Sequence, residues 1–134
     1  MAAAIAYQVK IEVNCDGRVV YGSKTYTGEQ DSRTRVVIAD GATDEEILCA
    51  IDVSALVALI LVSDQDLLVE VNSPVSAGGD LTLVLKAGLP YIWTNDFYYT
   101  NLFTVDVTAF YVTNSSGSSA TLEILPLVDP TNPA

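Results

Sequence analysis

The chain has 134 residues, half of them hydrophobic and only 17% charged, which suits one compact domain and excludes a disordered polypeptide. Six Lys and Arg stand against 17 Asp and Glu for a net charge of −11, so a phosphate backbone is repelled and nucleic acid is not an expected partner. Histidine is absent, which removes His-based triads, the commonest general base and the usual zinc ligand.

No apolar run reaches 18 residues, so no membrane span is expected. The start, Met1-Ala2-Ala3-Ala4-Ile5-Ala6-Tyr7, lacks a basic region and runs straight into an alternating pattern, so no signal peptide is expected and synthesis in the cytoplasm follows. Ile5, Tyr7, Val9, Ile11 and Val13 alternate with polar Gln8, Lys10 and Glu12, the period of a strand with one face buried. Asn14-Cys15-Asp16-Gly17 is a strong hairpin signal, and residues 18–26 form the return strand. A polar turn at 28–32 and a third strand at 33–39 follow. Thr43-Asp44-Glu45-Glu46 resembles a helix capping box, yet Ile47, Cys49, Ile51 and Val53 alternate with Leu48, Ala50 and Asp52. The reading favours a strand at 46–52, a short helical or 3₁₀ turn near 53–57 and a strand at 58–63. The continuous Leu59-Ile60-Leu61-Val62 run suits a strand buried on both faces.

Alternation returns at 67–71 and 81–85, around a flexible Ala77-Gly78-Gly79-Asp80 turn. A strand at 89–93 leads into an aromatic, Asn-rich loop at 94–102, and closing strands span 103–113 and 120–127. The tail, 129–134, is rich in proline and cannot extend a sheet. Short strands with turns every 8–12 residues, no long helix and no repeat at 20–50 residues predict an all-β, single-domain antiparallel sandwich over 1–128, jelly-roll-like or Ig-like.

Chemistry is sparse in this pattern. Cys15 and Cys49 have no Cys-x-x-Cys spacing and no histidine, so zinc is not expected; free thiols are the default and a disulfide stays open. Asp64-Gln65-Asp66 suits a turn, a calcium ligand pair or a catalytic carboxylate pair, but the EF-hand offsets are missing. Asn114-Ser115-Ser116 matches a glycosylation acceptor and also reads as a plain loop. No catalytic residue, cofactor or metal site is assigned.

Interaction candidates are clearer. Eight of eleven aromatics lie between 91 and 111. Tyr91, Trp93, Phe97, Tyr98, Tyr99 and Phe103 suit a protein contact, a lid on the sandwich or a sugar-stacking platform. Residues 1–35 hold five of the six cations with four acids, and 36–134 hold Lys86 with 13 acids. Arg18, Lys24, Arg33 and Arg35 are therefore second contact candidates, for an acidic surface, unless the split is chance among few charges.

Lys86-Ala87-Gly88-Leu89-Pro90-Tyr91-Ile92-Trp93, then Phe103-Thr104-Val105-Asp106-Val107-Thr108-Ala109-Phe110-Tyr111-Val112-Thr113-Asn114, then Ala120-Thr121-Leu122-Glu123-Ile124 and Val128-Asp129-Pro130-Thr131 resemble small virion proteins of tailed bacteriophages. Ile51-Asp52-Val53-Ser54-Ala55-Leu56 fits the same likeness, which leaves the first 40 residues uncovered. The resemblance implies a capsid decoration (cement) protein: a β-sandwich, usually a homotrimer, seated on the outer shell where major capsid subunits meet. It implies no enzyme activity. A carbohydrate-binding module or receptor-binding head domain, using Trp93 and the clustered tyrosines, is the alternative from another class; a small hydrolase is a third.

Overall fold

A computed structural model describes residues 4–73, 81–96 and 100–129. The strands are β1 Ile5–Cys15, β2 Arg18–Gly28, β3 Gln30–Asp31, β4 Thr34–Ile38, β5 Glu45–Ile51, β6 Leu56–Ser63, β7 Leu67–Val71, β8 Leu81–Leu85, β9 Tyr91–Thr94, β10 Val107–Thr113 and β11 Ala120–Val128, with one 3₁₀ turn at Val53–Ala55. The expected all-β sandwich is present, and every strand pairing among the described residues is antiparallel.

Three sheets build it. One has the order β5-β10-β7-β8. Another runs β11-β6-β9, with β3 and β4 sharing the outer edge of β11 at different heights. These two pack face to face over one core, with Ile47, Val69, Val71, Phe110 and Val112 from the first sheet against Ile38, Leu59, Leu61, Leu122 and Ile124 from the second. Phe110 is completely buried while Tyr111 turns outward, as two neighbours on a strand must. The third sheet is the hairpin β1–β2 alone, which lies on the outer face of the β6–β11 sheet. There Tyr26 buries against Val57, Ala58 and Leu127, with Ile5, Tyr7, Val9 and Ile60 packed around them.

Local sequence explains the breaks. Asp16 and Gly17 take φ of 51° and 97°, the left-handed pair that a two-residue hairpin turn requires, and Asn14 Oδ1 accepts from the Gly17 amide at 2.8 Å. Asp44 also sits at positive φ, 49°, so the Thr43–Glu46 stretch is a turn into β5 and not a helix start. Asp52 does cap the 3₁₀ turn, accepting from the Ser54 amide at 3.1 Å. The strand expected from residue 103 begins only at Val107. Asp106 Oδ1 accepts from the Val53 amide and its carbonyl from Asn72 Nδ2, so residues 103–106 serve the neighbouring loops instead of a ladder. Asn72 Oδ1 also accepts from the Thr108 amide at 2.7 Å, holding the β10 irregularity between Val107 and Ala109.

Gly28, at the root of the hairpin, has no room for a side chain: a Cβ would lie 2.7 Å from the Val128 carbonyl oxygen and 2.9 Å from Leu127 Cδ1. Gly22, on the same strand, has nothing within 4 Å. Gly28→Ala is therefore expected to cost about 1–3 kcal/mol by overpacking, whereas Gly22→Ala stays within about 0.5 kcal/mol of the parent. Urea unfolding of both variants checks this, and equal midpoints would show that the root yields freely.

Candidate functional site

The most distinctive feature is the reach of the hairpin. Its strands have eleven residues each, longer than any other strand among the described residues, and its root is the part packed on the sandwich. Every residue from 10 to 25 is exposed. In register, Tyr7–Tyr26, Val9–Lys24, Ile11–Gly22 and Val13–Val20 pair directly, so they share one face of the ribbon. That face packs on the sandwich at Tyr7, Val9 and Tyr26, then continues past it with Ile11, Val13 and Val20 still 45–49% exposed. Gln8, Lys10, Glu12 and Asn14 occupy the opposite face with Thr25, Ser23, Tyr21 and Val19.

Two polar clasps hold the root. On the β2 side, Asp96 receives the Tyr26 hydroxyl at 2.6 Å and the Thr94 hydroxyl at 2.9 Å, and it forms an ion pair with Lys24, whose ammonium lies 5.4 Å from the centre of the Tyr26 ring. Hydrogen bonds from Lys24, then Tyr26 and Thr94, hold the Asp96 carboxyl at about 2. On the β1 side, Asp31 receives the Tyr7 hydroxyl at 2.9 Å and Arg33 Nε at 2.5 Å, while the Arg33 guanidinium stands 5.4 Å from the Tyr7 ring centre. The Arg33 hydrogen bond, with that from Tyr7, draws the Asp31 carboxyl below its ordinary value. Burial, followed by the hydrogen bond to Asp31, pushes Tyr7 up to about 12.

Where the ribbon parts from the sheet it leaves a crevice of about 330 Å³. Val9, Ile60, Pro90, Ile92 and Leu125 supply its apolar lining, and Tyr7, Gln8, Lys10 and Arg33 complete it.

The structure redistributes the sequence candidates. Phe103 is buried, 3% exposed, with its ring centre 6.1 Å from Tyr91 and 6.3 Å from Phe110, so it is core and not a contact surface. Tyr91 and Trp93 are half-buried on the edge strand β9 and lean on that core. Trp93 Nε1 is itself buried and has no hydrogen-bond partner among the described residues, so the indole edge is turned into the protein. Phe97, Tyr98 and Tyr99 lie outside the described residues, as does the tail beyond Asp129. Lys24 and Arg33 are engaged in the clasps. Arg35 stays exposed beside Glu123, and Arg18 sits at the ribbon tip, donating to the Val19 carbonyl. The sequence reading missed Ile11, Val13 and Val20 as surface residues. Its available signal was an alternation running well past the length of an ordinary strand.

The remaining motifs resolve as structure. Asp64 Oδ1 accepts from the Thr121 amide and Asp66 Oδ1 from the Ala87 amide, each at 2.8 Å, which are turn roles. Asn114 is fully buried: Nδ2 donates to the Ile38 and Ser118 carbonyls and Oδ1 accepts from Ser116, so the glycosylation pattern is closed off by the fold. Cys15 is an exposed free thiol at the ribbon tip, and Cys49 is a buried one in the core. No group of three or more metal-ligating side chains occurs among the described residues, and no helix among them is long and apolar enough to cross a membrane.

Because folding depresses the Asp96 carboxyl from 3.8 to about 2, its contribution is fully present above 3.8 and fades as the pH falls through about 2. The ribbon root is therefore expected to loosen over that window, read as growing proteolysis by pepsin between residues 5 and 28. In Asp96→Ala the β2 side of the root is already loosened at pH 4, and acidification adds only the release of the Asp31 clasp on the β1 side, so the fall in pH changes its cleavage less than the parent's. Identical acid profiles for the two proteins would show that the clasp does not hold the ribbon.

No protein-family model and no curated protein matches this sequence.

Proposed function

We propose that this chain is a non-enzymatic structural protein of a bacteriophage virion, a decoration or cement protein that adheres to the outer shell and stabilises contacts between major capsid subunits. The observation that carries this reading is the clasped ribbon with Ile11, Val13 and Val20 open to solvent. Exposed aliphatic side chains on an ordered arm suit adhesion between proteins, since their burial is worth about 25 cal/mol per Å² wherever a partner covers them. The likeness to small tailed-phage virion proteins, carried by residues 51–56, 86–93, 103–114, 120–124 and 128–131, supports the same role. The strongly acidic remainder of the chain, facing outward, would keep decorated particles apart.

Adhesion to a shell asks for geometry and area, not for a reactive group. Standard protein interfaces bury about 800 Å² per partner, more than one face of a short ribbon supplies. The exposed apolar residues Val37, Leu48, Val84 and Leu89 on the sandwich add to the surface on offer. Purified protein mixed with phage capsids stripped of decoration protein should co-sediment, saturate at a fixed copy number per capsid, and raise the temperature at which the shell disrupts. Free protein left wholly in the supernatant, together with selective binding on a glycan array, would overturn the reading in favour of a carbohydrate-binding head.

A further inference from the structure

We infer that the free half of the β1–β2 ribbon docks on a second copy of this chain, laying its Ile11–Val13–Val20 face over the crevice walled by Ile60, Pro90, Ile92 and Leu125. The inference deepens the adhesion reading and rests on its premise that the open ribbon face is a protein contact surface.

Three observations single out this occupant. The first is continuity: one apolar ribbon face is already seated on the outer face of the β6–β11 sheet at Tyr7, Val9 and Tyr26, and it runs on uncovered at Ile11, Val13 and Val20. The outer face of that sheet also runs on. Ala58 and Leu127 are sealed under the ribbon, while Ile60, Leu125 and Ile92, paired next along it, remain only partly covered and line the crevice. Each molecule thus carries an unfinished ribbon and an unfinished seat for one. The second is stability: a two-stranded ribbon standing alone in water is marginal, and a third layer on its apolar face is what makes such a hairpin persist. The third is charge. Residues 5–28 hold three cations and two acids, against three cations and fifteen acids elsewhere, so the ribbon brings a small net positive charge to a copy whose remainder is strongly acidic.

The two contacting surfaces differ, which makes the contact head-to-tail, the kind that closes into a ring when the rotation permits. The strand rise of about 3.4 Å carries the tip roughly 17 Å beyond Lys10, enough to span the width of a neighbouring three- or four-stranded sheet face.

The test uses the full chain in solution with no capsid present. Analytical ultracentrifugation of the wild type should find a closed oligomer at micromolar concentration, and hydrogen exchange should show amides of residues 10–25 becoming protected as concentration rises. Ile11→Thr/Val13→Thr/Val20→Thr keeps β-forming residues but places hydroxyls in the contact, and dissociation should rise by on the order of a hundredfold or more. Ile92→Lys blocks the seat and leaves the ribbon intact, with the same loss of mass. Mixing the two variants should restore a one-to-one species, because each supplies the surface the other lacks. A wild type that stays monomeric with its ribbon amides unprotected, a triple variant of unchanged mass, or variants that fail to combine would each overturn the inference. An oligomer that behaves as expected yet ignores capsids would overturn the decoration role and leave this docking standing.

Discussion

Around Ala58 and Leu127 the β6–β11 sheet is apolar on both of its faces, and the architecture follows from that. Neighbouring residues on a strand point to opposite sides, yet Ala58 and Leu59 are both fully excluded from solvent, as are Ile124 and Leu127 on β11. A sheet with one wet face alternates apolar with polar residues; this one needs a cover on each side. The β5-β10-β7-β8 sheet supplies one cover and the root of the ribbon supplies the other. The ribbon root is thus a structural requirement, and a Tyr side chain such as Tyr26 is well suited to it, bringing a large apolar ring with a hydroxyl that can reach a carboxylate at the rim. The residues that do this lie within 5–9 on β1 and 26–28 on β2, and the remaining length needs its own explanation.

Much of the layer structure was legible in the sequence, because strand periodicity and turn chemistry act locally. The Asp16-Gly17 turn and the alternating strand that leads into it follow from a few adjacent residues and are found, although burial alternates only over 5–9; the run expected to be buried on both faces at 59–62 is so buried at 56–59, with Ile60 and Val62 partly exposed. Long-range placement was not legible. Alternation in 5–13 reads identically whether the apolar face meets the chain's own sheet, as at Tyr7, or faces solvent, as at Val13. Lys24 and Arg33 look like free cations in the sequence because Asp96, which engages Lys24, lies 72 residues away. The strand expected from 103 shortened because Asp106 and Asn72 prefer local polar contacts over a ladder, a competition that strand propensity does not weigh. Phe103 moved from surface candidate to core for the same reason: the irregular backbone at 103–106 lets its ring turn in against Tyr91 and Phe110.

The clasps at the root act on direction more than on energy. Exposed ion pairs contribute little by themselves, and Lys24 is well exposed. What distinguishes this pair of sites is that each carboxylate ties one ribbon strand to the sandwich, Asp96 holding Lys24 and Tyr26 of β2 and Asp31 holding Tyr7 of β1, each steadied by a near neighbour in the chain, Thr94 or Arg33. Gripped on both strands, the ribbon has one exit angle from the sandwich. A contact surface fixed before association loses less conformational entropy on binding than a loose arm would.

An ordered ribbon with an open aliphatic face is also a hazard, since exposed strand edges pair indiscriminately. The chain limits this by making the ribbon two-sided: Lys10, Glu12 and Asn14 beside Ser23 and Thr25 put polar groups on one face, around Tyr21 and Val19, while the other face carries the aliphatic row Ile11, Val13 and Val20. The net charge of −11 adds repulsion between copies in any arrangement that brings their acidic sandwiches together. Only an approach that leads with the ribbon avoids that repulsion while covering Ile11, Val13 and Val20. The same charge distribution that keeps the protein soluble therefore selects the geometry in which it adheres.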